Sequence, residues 1–220
     1  MTRPSRAPTP TFLAIKRTLD LTLSGFALVL LWPLMAMIGL AIKIESHGPV
    51  LFRQERLGKD GKPFTMLKFR SMKVGAEAGG VYVTKADSRV TKVGSFIRKV
   101  SFDELPQLLN VWRGEMSIIG PRPTLTYHPW PLEEYSVEQK RRFEVRPGLS
   151  GWAQVNGRKT VEWPKRLEYD VEYVERMSFM FDMRIILLTV LQVVSGRDNE
   201  NTTTTATRSD DHRPGSNGDG

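Results

Sequence analysis

The stretch KVSFDELPQLLN, residues 99–110, sets two adjacent carboxylates, Asp103 and Glu104, just ahead of Pro106 in a chain that is otherwise basic. Arg98 and Lys99 stand immediately upstream and Arg113 follows. An acid pair among cations stays ionised, can hold a hard divalent ion, and can offer an oxygen nucleophile to phosphorus. A helix start would also place acids here. Ser101-Phe-Asp-Glu104 fits a capping box, with Ser101 as cap and Glu104 reaching back. That register puts Pro106 at the fifth helical position, where its missing N–H costs a hydrogen bond. With Asp103 as cap, Pro106 falls at the third position, whose N–H has no intrahelical partner anyway. This cheaper register leaves Asp103 at the mouth of a helix N-terminus, where partial positive charge favours an ionised carboxylate.

Other cations stand where phosphate chemistry would want them. Arg122 lies between Pro121 and Pro123, and Arg146 precedes Pro147-Gly148. An arginine whose backbone is fixed by proline suits bidentate phosphate binding. Lys68 and Arg70 are two residues apart, hence on one face of a strand. The plain alternative is a solvated basic surface. Taken with the acid pair, the pattern points to a phosphoryl-transfer site with Mg2+ on a diphosphate. Composition narrows the chemistry further. The chain has no cysteine, which excludes disulfides and thiolate metal sites, and its histidines at 47, 128 and 212 are too scattered for a His-rich zinc site. The net charge is +8, and because the residues from Arg197 onward are acidic by two, the first 196 carry +10. That excess suits nucleic acid, a membrane surface or phosphorylated substrates, and does not choose among them.

The elements that must position these residues begin with a membrane segment. LTLSGFALVLLWPLMAMIGLAI, residues 21–42, is 22 residues without a formal charge, and a helix crossing a bilayer needs roughly 20. It is long for a signal h-region, and no small-residue cleavage site precedes the polar stretch after it. Pro33, preceded by Trp32, interrupts its middle, and cations flank both ends: Lys16 and Arg17 before, Lys43, Arg53 and Arg56 after. A helix–break–helix that enters and leaves by the cytoplasmic face satisfies both features; a Pro-kinked crossing helix is the alternative. Residues 178–194 are apolar but carry Asp182 and Arg184, so a core helix is expected, or one lying in the headgroup layer. The chain then divides into a lead-in over 1–11, the membrane helix over 12–44, a globular domain over 45–197 and a polar, disordered tail over 198–220. Within the globular domain, two short strands are expected around an Asp60-Gly61 turn, a mobile Gly-rich loop over 75–89, and helices over 90–100, 103–112 and 165–176. IIGPRPTL and RPGLSGWAQVNGR read as irregular. The fold class is α+β: a re-entrant membrane helix joined to a compact, mainly helical cytoplasmic domain with a small β-hairpin.

The strings KRTLD, GPVLFRQERLGKDGKPFTMLKFRSM, SFDELPQLLNVWRGEMSIIGPRP and RPGLSGWAQVNGR resemble the bacterial sugar transferases of the monotopic phosphoglycosyl transferase family. The resemblance runs in motif order and spacing from about Lys16 to Arg197, and is to the small form, without a multi-span N-terminal extension. It implies transfer of a sugar 1-phosphate from a UDP-sugar to undecaprenyl phosphate, with release of UMP, at the cytoplasmic face of the bacterial cytoplasmic membrane, to begin a cell-surface glycan. It also implies that Asp103 is the nucleophile, forming an aspartyl phosphosugar, and that Glu104 assists with the metal or the proton, Mg2+ being held at Asp103 and Glu104. Arg98 matches the arginine that engages the lipid phosphate, with Lys16 and Arg17 as further lipid-phosphate-binding residues that, together with Asp20, match the headgroup-level start of the membrane helix. Lys68 and Arg122 match basic residues near the diphosphate, a group to which Arg70 and Arg146 are added from their own setting. Trp32-Pro33 stands where the family breaks its helix at Ser-Pro. The segment WPKRLEYDVEYVERMSF looks like that of members acting on N-acetylated sugars.

Two other classes compete. A tethered nucleic-acid module would show a Lys/Arg stripe with exposed aromatics, whereas here the cations cluster beside Pro/Gly turns and paired acids; no nucleic-acid partner is expected. A non-catalytic scaffold of a glycan-assembly complex would be favoured had Asp103 or Arg98 been replaced, and both are present. Homo-oligomerisation is left open.

Overall fold

Thr9 and Pro10 start the chain's longest element. The Thr9 hydroxyl accepts from the Phe12 N–H, and Pro10 sits where a missing N–H costs nothing, so helix α1 begins slightly earlier than the sequence suggests and spans Pro10–Glu45, 36 residues. The computed structural model describes residues 9–76, 87–157 and 161–195. Most of the expected lead-in, most of the 75–89 loop and the whole of the expected tail lie outside the described residues.

Among the described residues, α1 is the one helix long and apolar enough to cross a membrane. It is a single helical element through Trp32-Pro33, so the expected break does not interrupt the helix. Pro33 removes only the hydrogen bond to the Val29 carbonyl, and both residues lie on the exposed side. The buried residues of α1 are Asp20, Ser24, Ile38 and Ile42. At about 100° per residue these fall within roughly 40° of one another. Ile15, Phe26, Val29, Met37, Leu40 and Ile44 are exposed on the opposite side. One stripe of α1 therefore meets the body near both ends, and the other stripe is bare hydrocarbon.

The strands β1 (Leu51–Leu57) and β2 (Pro63–Phe69) form the expected antiparallel hairpin, from Leu51↔Phe69 to Leu57↔Pro63. Asp60 and Gly61 both take left-handed backbone angles at its tip, as the Asp-Gly pair predicts. Helix α2 (Lys92–Lys99) follows, capped by Thr91, and then α3 (Gln107–Arg113), which ends at Gly114 in the left-handed conformation. The stretches read as irregular are more ordered than expected. They contribute β3 (Ser117–Ile119) and β4 (Gly148–Ser150), a short parallel pair. The two backbones approach so closely that a Cβ on Gly148 would stand 2.1 Å from the Gly120 N, which only glycine permits. Single-turn helices α4 (Val137–Lys140) and α5 (Trp152–Val155) precede α6 (Trp163–Arg176) and α7 (Phe179–Val194).

The core lies in patches. Ile119, Val145, Trp152, Tyr173, Val174, Phe181 and Ile185 form one beneath α6 and α7. Ile38 and Ile42 of α1 join Phe69 and Ile97 in another, so hairpin, α1 and α2 share one apolar seam. Helix α7 is not a core helix. Phe181, Asp182 and Ile185 are buried, while Phe179, Met180, Met183, Leu187, Val190 and Leu191 are exposed along its other side.

Candidate active site

Ser101 takes a left-handed conformation, and Phe102–Glu104 forms one 3-10 turn rather than the start of a helix. Neither expected cap is used: no side-chain cap bond is made by Ser101, and Asp103 lies inside the turn. Pro106 explains this. It cannot donate, so the i→i+3 bonds Glu104 N–H to Ser101 and Leu105 N–H to Phe102 carry the chain to the proline, and α-helical bonding begins only at Gln107. The acid pair is thus presented on a tight turn between α2 and α3.

Three predicted cations meet it. The Lys68 ammonium, from β2, donates to Glu104 Oε1 at 2.7 Å. The half-exposed Arg122 guanidinium donates to the same oxygen at 3.0 Å. Arg98, near the end of α2, acts on Asp103 through its charge and is held by an Nε–H bond to Ser71 Oγ at 2.8 Å. The two acids are held in opposite ways. Burial would raise the Glu104 carboxyl, but the charges and hydrogen bonds of Arg122 and Lys68 outweigh it and hold it well below the ordinary carboxylate range. Burial raises the Asp103 carboxyl, with repulsion from Glu104 adding to it, and the attraction of Lys68, Arg98 and Arg122 does not offset this. The expected helix-mouth stabilisation of ionised Asp103 is therefore not what the site provides.

The remaining predicted residues are engaged elsewhere. Arg70 lies one residue beyond β2, and its guanidinium donates to the carbonyls of Ser46 and His47 and locks the exit of α1. Arg146 donates to the Gly114 carbonyl at 2.8 Å. Arg17 donates to the carbonyls of Val111 and Trp112, at the C-terminal end of α3, and Lys16 pairs with Asp182 of α7 at 2.5 Å. With Asp20 accepting from the Ile118 N–H, these residues bolt α1 to the body. Trp32 and Pro33 are exposed on α1.

Some contributors escaped the sequence reading. Ser71 holds Arg98. Asn110 accepts from the Leu67 N–H and donates to the Thr65 carbonyl, tying α3 to β2. Asp170 forms a buried pair with Arg142. Its signal was available: Leu167, Asp170, Val171 and Val174 share the inner face of α6, and an acid in an apolar stripe demands a partner.

No group of three or more metal-binding side chains exists among the described residues. Mg2+ is still compatible with the donor set. It is usually held by one or two carboxylates together with substrate phosphates and water, and among the described residues Asp103 and Glu104 Oε2 make no hydrogen bond.

The structure thus brings an acid turn together with Lys68, Arg98 and Arg122 on a body fastened to a long apolar helix. The chain belongs to the bacterial sugar transferase family, whose model matches residues 11–196. It is 46% identical over 184 residues to the UDP-glucose:undecaprenyl-phosphate glucose-1-phosphate transferase of Escherichia coli K12, covering 81% of this chain and 40% of that protein. It is 43% identical to the uncharacterized sugar transferase EpsL of Bacillus subtilis, covering 82% of this chain and 87% of that one. The UDP-N-acetylgalactosamine-undecaprenyl-phosphate N-acetylgalactosaminephosphotransferase of Aeromonas hydrophila is 38% identical, over 87% of this chain and 46% of its own. The chain thus spans less than half the length of the Escherichia and Aeromonas relatives.

Proposed function

We propose that the protein transfers a sugar 1-phosphate from a UDP-sugar to undecaprenyl phosphate and releases UMP, through a covalent intermediate on Asp103. The observation that carries this reading is the unequal acid pair. Glu104 is clamped by two cations and stays ionised, while Asp103 makes no hydrogen bond among the described residues and has its carboxyl raised by burial. A carboxylate raised in this way is the more nucleophilic of the two once ionised.

In the first half-reaction an Asp103 oxygen bonds to the β-phosphorus of the UDP-sugar. The bond from that phosphorus to the bridging oxygen breaks, and UMP departs with its electron pair. In the second, an oxygen of undecaprenyl phosphate bonds to the same phosphorus and the Asp103 carboxylate leaves, giving a sugar diphosphate lipid. Lys68, Arg98 and Arg122 offset the charge carried by the phosphoryl oxygens. Asp103 and Glu104 are the residues that would hold Mg2+, which when bound supplies further positive charge against the diphosphate. Arg98 is assigned to the lipid phosphate, the other named cations at α1 being committed to internal bonds.

The site works at the cytoplasmic face, on a helix that enters and leaves by that face. Two observations support this placement: α1 contacts one body at Lys16, Arg17 and Asp20 and again at Ile38, Ile42 and Glu45, and both flanks are cationic. The Escherichia relative is named for UDP-glucose and the less similar Aeromonas one for UDP-N-acetylgalactosamine. Both belong in the donor panel, glucose first. The test is UMP release from lipid-reconstituted protein given Mg2+, donor and undecaprenyl phosphate. Wild type is expected to turn over and Asp103→Asn to lose at least about 1,000-fold, as expected when a nucleophile is removed; near-normal turnover in the variant would sink the reading.

A further inference from the structure

The turn Pro121-Arg122-Pro123 carries the guanidinium that clamps Glu104, and its prolines have no N–H to anchor it. Its carbonyls are held instead, that of Pro121 by the Gly148 N–H at 2.9 Å and the other two by arginines. Arg142 donates through Nη2 to the Arg122 carbonyl at 2.8 Å, and Arg56 donates through Nη1 to the Pro123 carbonyl at 3.2 Å. Arg142 is itself fixed. Its Nε and Nη2 reach Asp170 Oδ2 at 3.1 and 2.7 Å, with the two side chains only 2% and 3% exposed. Its guanidinium also stands 5.1 Å from the Phe143 ring centre and 5.5 Å from that of Trp163. A buried ion pair adds little net stability, because desolvation offsets the attraction. What this pair does hold is geometry: one nitrogen of Arg142 bridges α6 to the carbonyl of an active-site residue.

We propose that Asp170 and Arg142 are positioning residues for the transfer: Asp170 orients Arg142, Arg142 fixes the carbonyl of Arg122, and the fixed turn aims the Arg122 guanidinium at Glu104 and the donor diphosphate. This assignment rests on the function proposed above. A structural pair would act on stability alone. A positioning pair acts through Arg122, and its effect vanishes when Arg122 is already compromised.

The experiment is a double-mutant cycle on the full chain in lipid, reading UMP release from the UDP-sugar with Mg2+ and no lipid acceptor. Asp170→Asn is expected to slow this half-reaction by about 10- to 100-fold, the scale of a small misplacement. Combined with Arg122→Lys, it should add no more than about threefold to the loss from Arg122→Lys alone; losses that multiply overturn the proposal. Should Asp170→Asn fail to fold, Arg142→Lys serves in the same cycle, since it keeps the charge facing Asp170 but loses the two-armed fork. Amide exchange at Leu57 and Gly148, whose N–H groups donate to the Thr124 and Pro121 carbonyls on either side of Arg122, separates this proposal from the functional reading. Absence of UMP from wild type with every donor would defeat the functional reading and with it the proposed role. With wild type active, faster exchange at those two amides in Arg142→Lys is the expected result, and unchanged exchange overturns the positioning role.

Discussion

At the residue scale the two acids differ in what they do to the fold, and stability should show it. The folded-state pKa of Glu104 is depressed by Arg122 and Lys68, so its ionised form stabilises the protein above the unfolded value of about 4.3. That contribution is lost as pH falls through the folded pKa. The folded-state pKa of Asp103 is raised by burial, so its ionised form costs stability above that value. At pH 7, Glu104→Gln should therefore lower Tm, by about 2–4 °C for each kcal/mol lost. Asp103→Asn should leave Tm unchanged or raise it while abolishing turnover. Thermal melts of the two variants check the contrast, and a matching drop in both would refute the division of labour. The pH profile follows from the same shifts. The first half-reaction needs ionised Asp103, so its acid limb should lie above the ordinary aspartate value of about 3.9, and Glu104 should add no limb beside it. Of the residues involved, Asp103, Glu104, Lys68, Arg98 and Arg122 were legible because acids beside Arg and Pro are unusual in sequence. Arg70 and Arg146 donate to carbonyls in the folded chain: a cation next to a turn can hold carbonyls as readily as phosphates, and sequence does not distinguish the two uses.

At the element scale, α1 determines where the site stands. Ile38 and Ile42 share a core patch with Phe69 and Ile97, and the Glu45 carboxylate accepts from the Lys92 and Val93 N–H groups at the start of α2. The end of α1 therefore caps the helix that carries Arg98. On the proposed re-entrant placement, Pro33→Leu restores a backbone donor in the middle of α1 and favours a straight crossing helix, so part of the population should carry its two ends on opposite sides of the membrane. The chain has no cysteine, which makes single cysteines at Thr9 and Ser195 clean probes. Both should label from the cytoplasmic side with Pro33 present, and a mixed pattern should appear with Leu; opposite-side labelling with Pro33 present would refute the re-entrant reading. Period and capping made α1, α2, α6, α7 and the hairpin legible. The 3-10 turn at Asp103 was not, because its form depends on which carbonyls a proline leaves unbonded. The β3–β4 pair was not legible either, since three-residue strands rich in Gly and Pro carry no periodicity and exist through a close approach between Gly120 and Gly148.

At the scale of the whole molecule, the proposed function requires a water-soluble nucleotide sugar and a lipid phosphate both to reach Asp103. The proposed covalent intermediate would let them do so in turn, which suits one small acid turn beside an apolar helix. The resemblance legible in four sequence strings leads to the same family that the comparisons establish, because those strings contain the acid turn and most of its cations. Sequence offered both a core helix and one lying in the headgroup layer for 178–194, and the exposed apolar side of α7 agrees with the second, since composition alone does not tell a buried apolar helix from a half-buried one. The most direct measurement is intact mass of the reconstituted protein after mixing with Mg2+ and UDP-glucose or UDP-N-acetylgalactosamine, without lipid acceptor. The account predicts a sugar-phosphate adduct on the peptide containing Asp103 and one equivalent of UMP, with the adduct discharged by undecaprenyl phosphate. UMP formed only when undecaprenyl phosphate is present, with no adduct at any time, would contradict it and point to direct transfer between the two substrates.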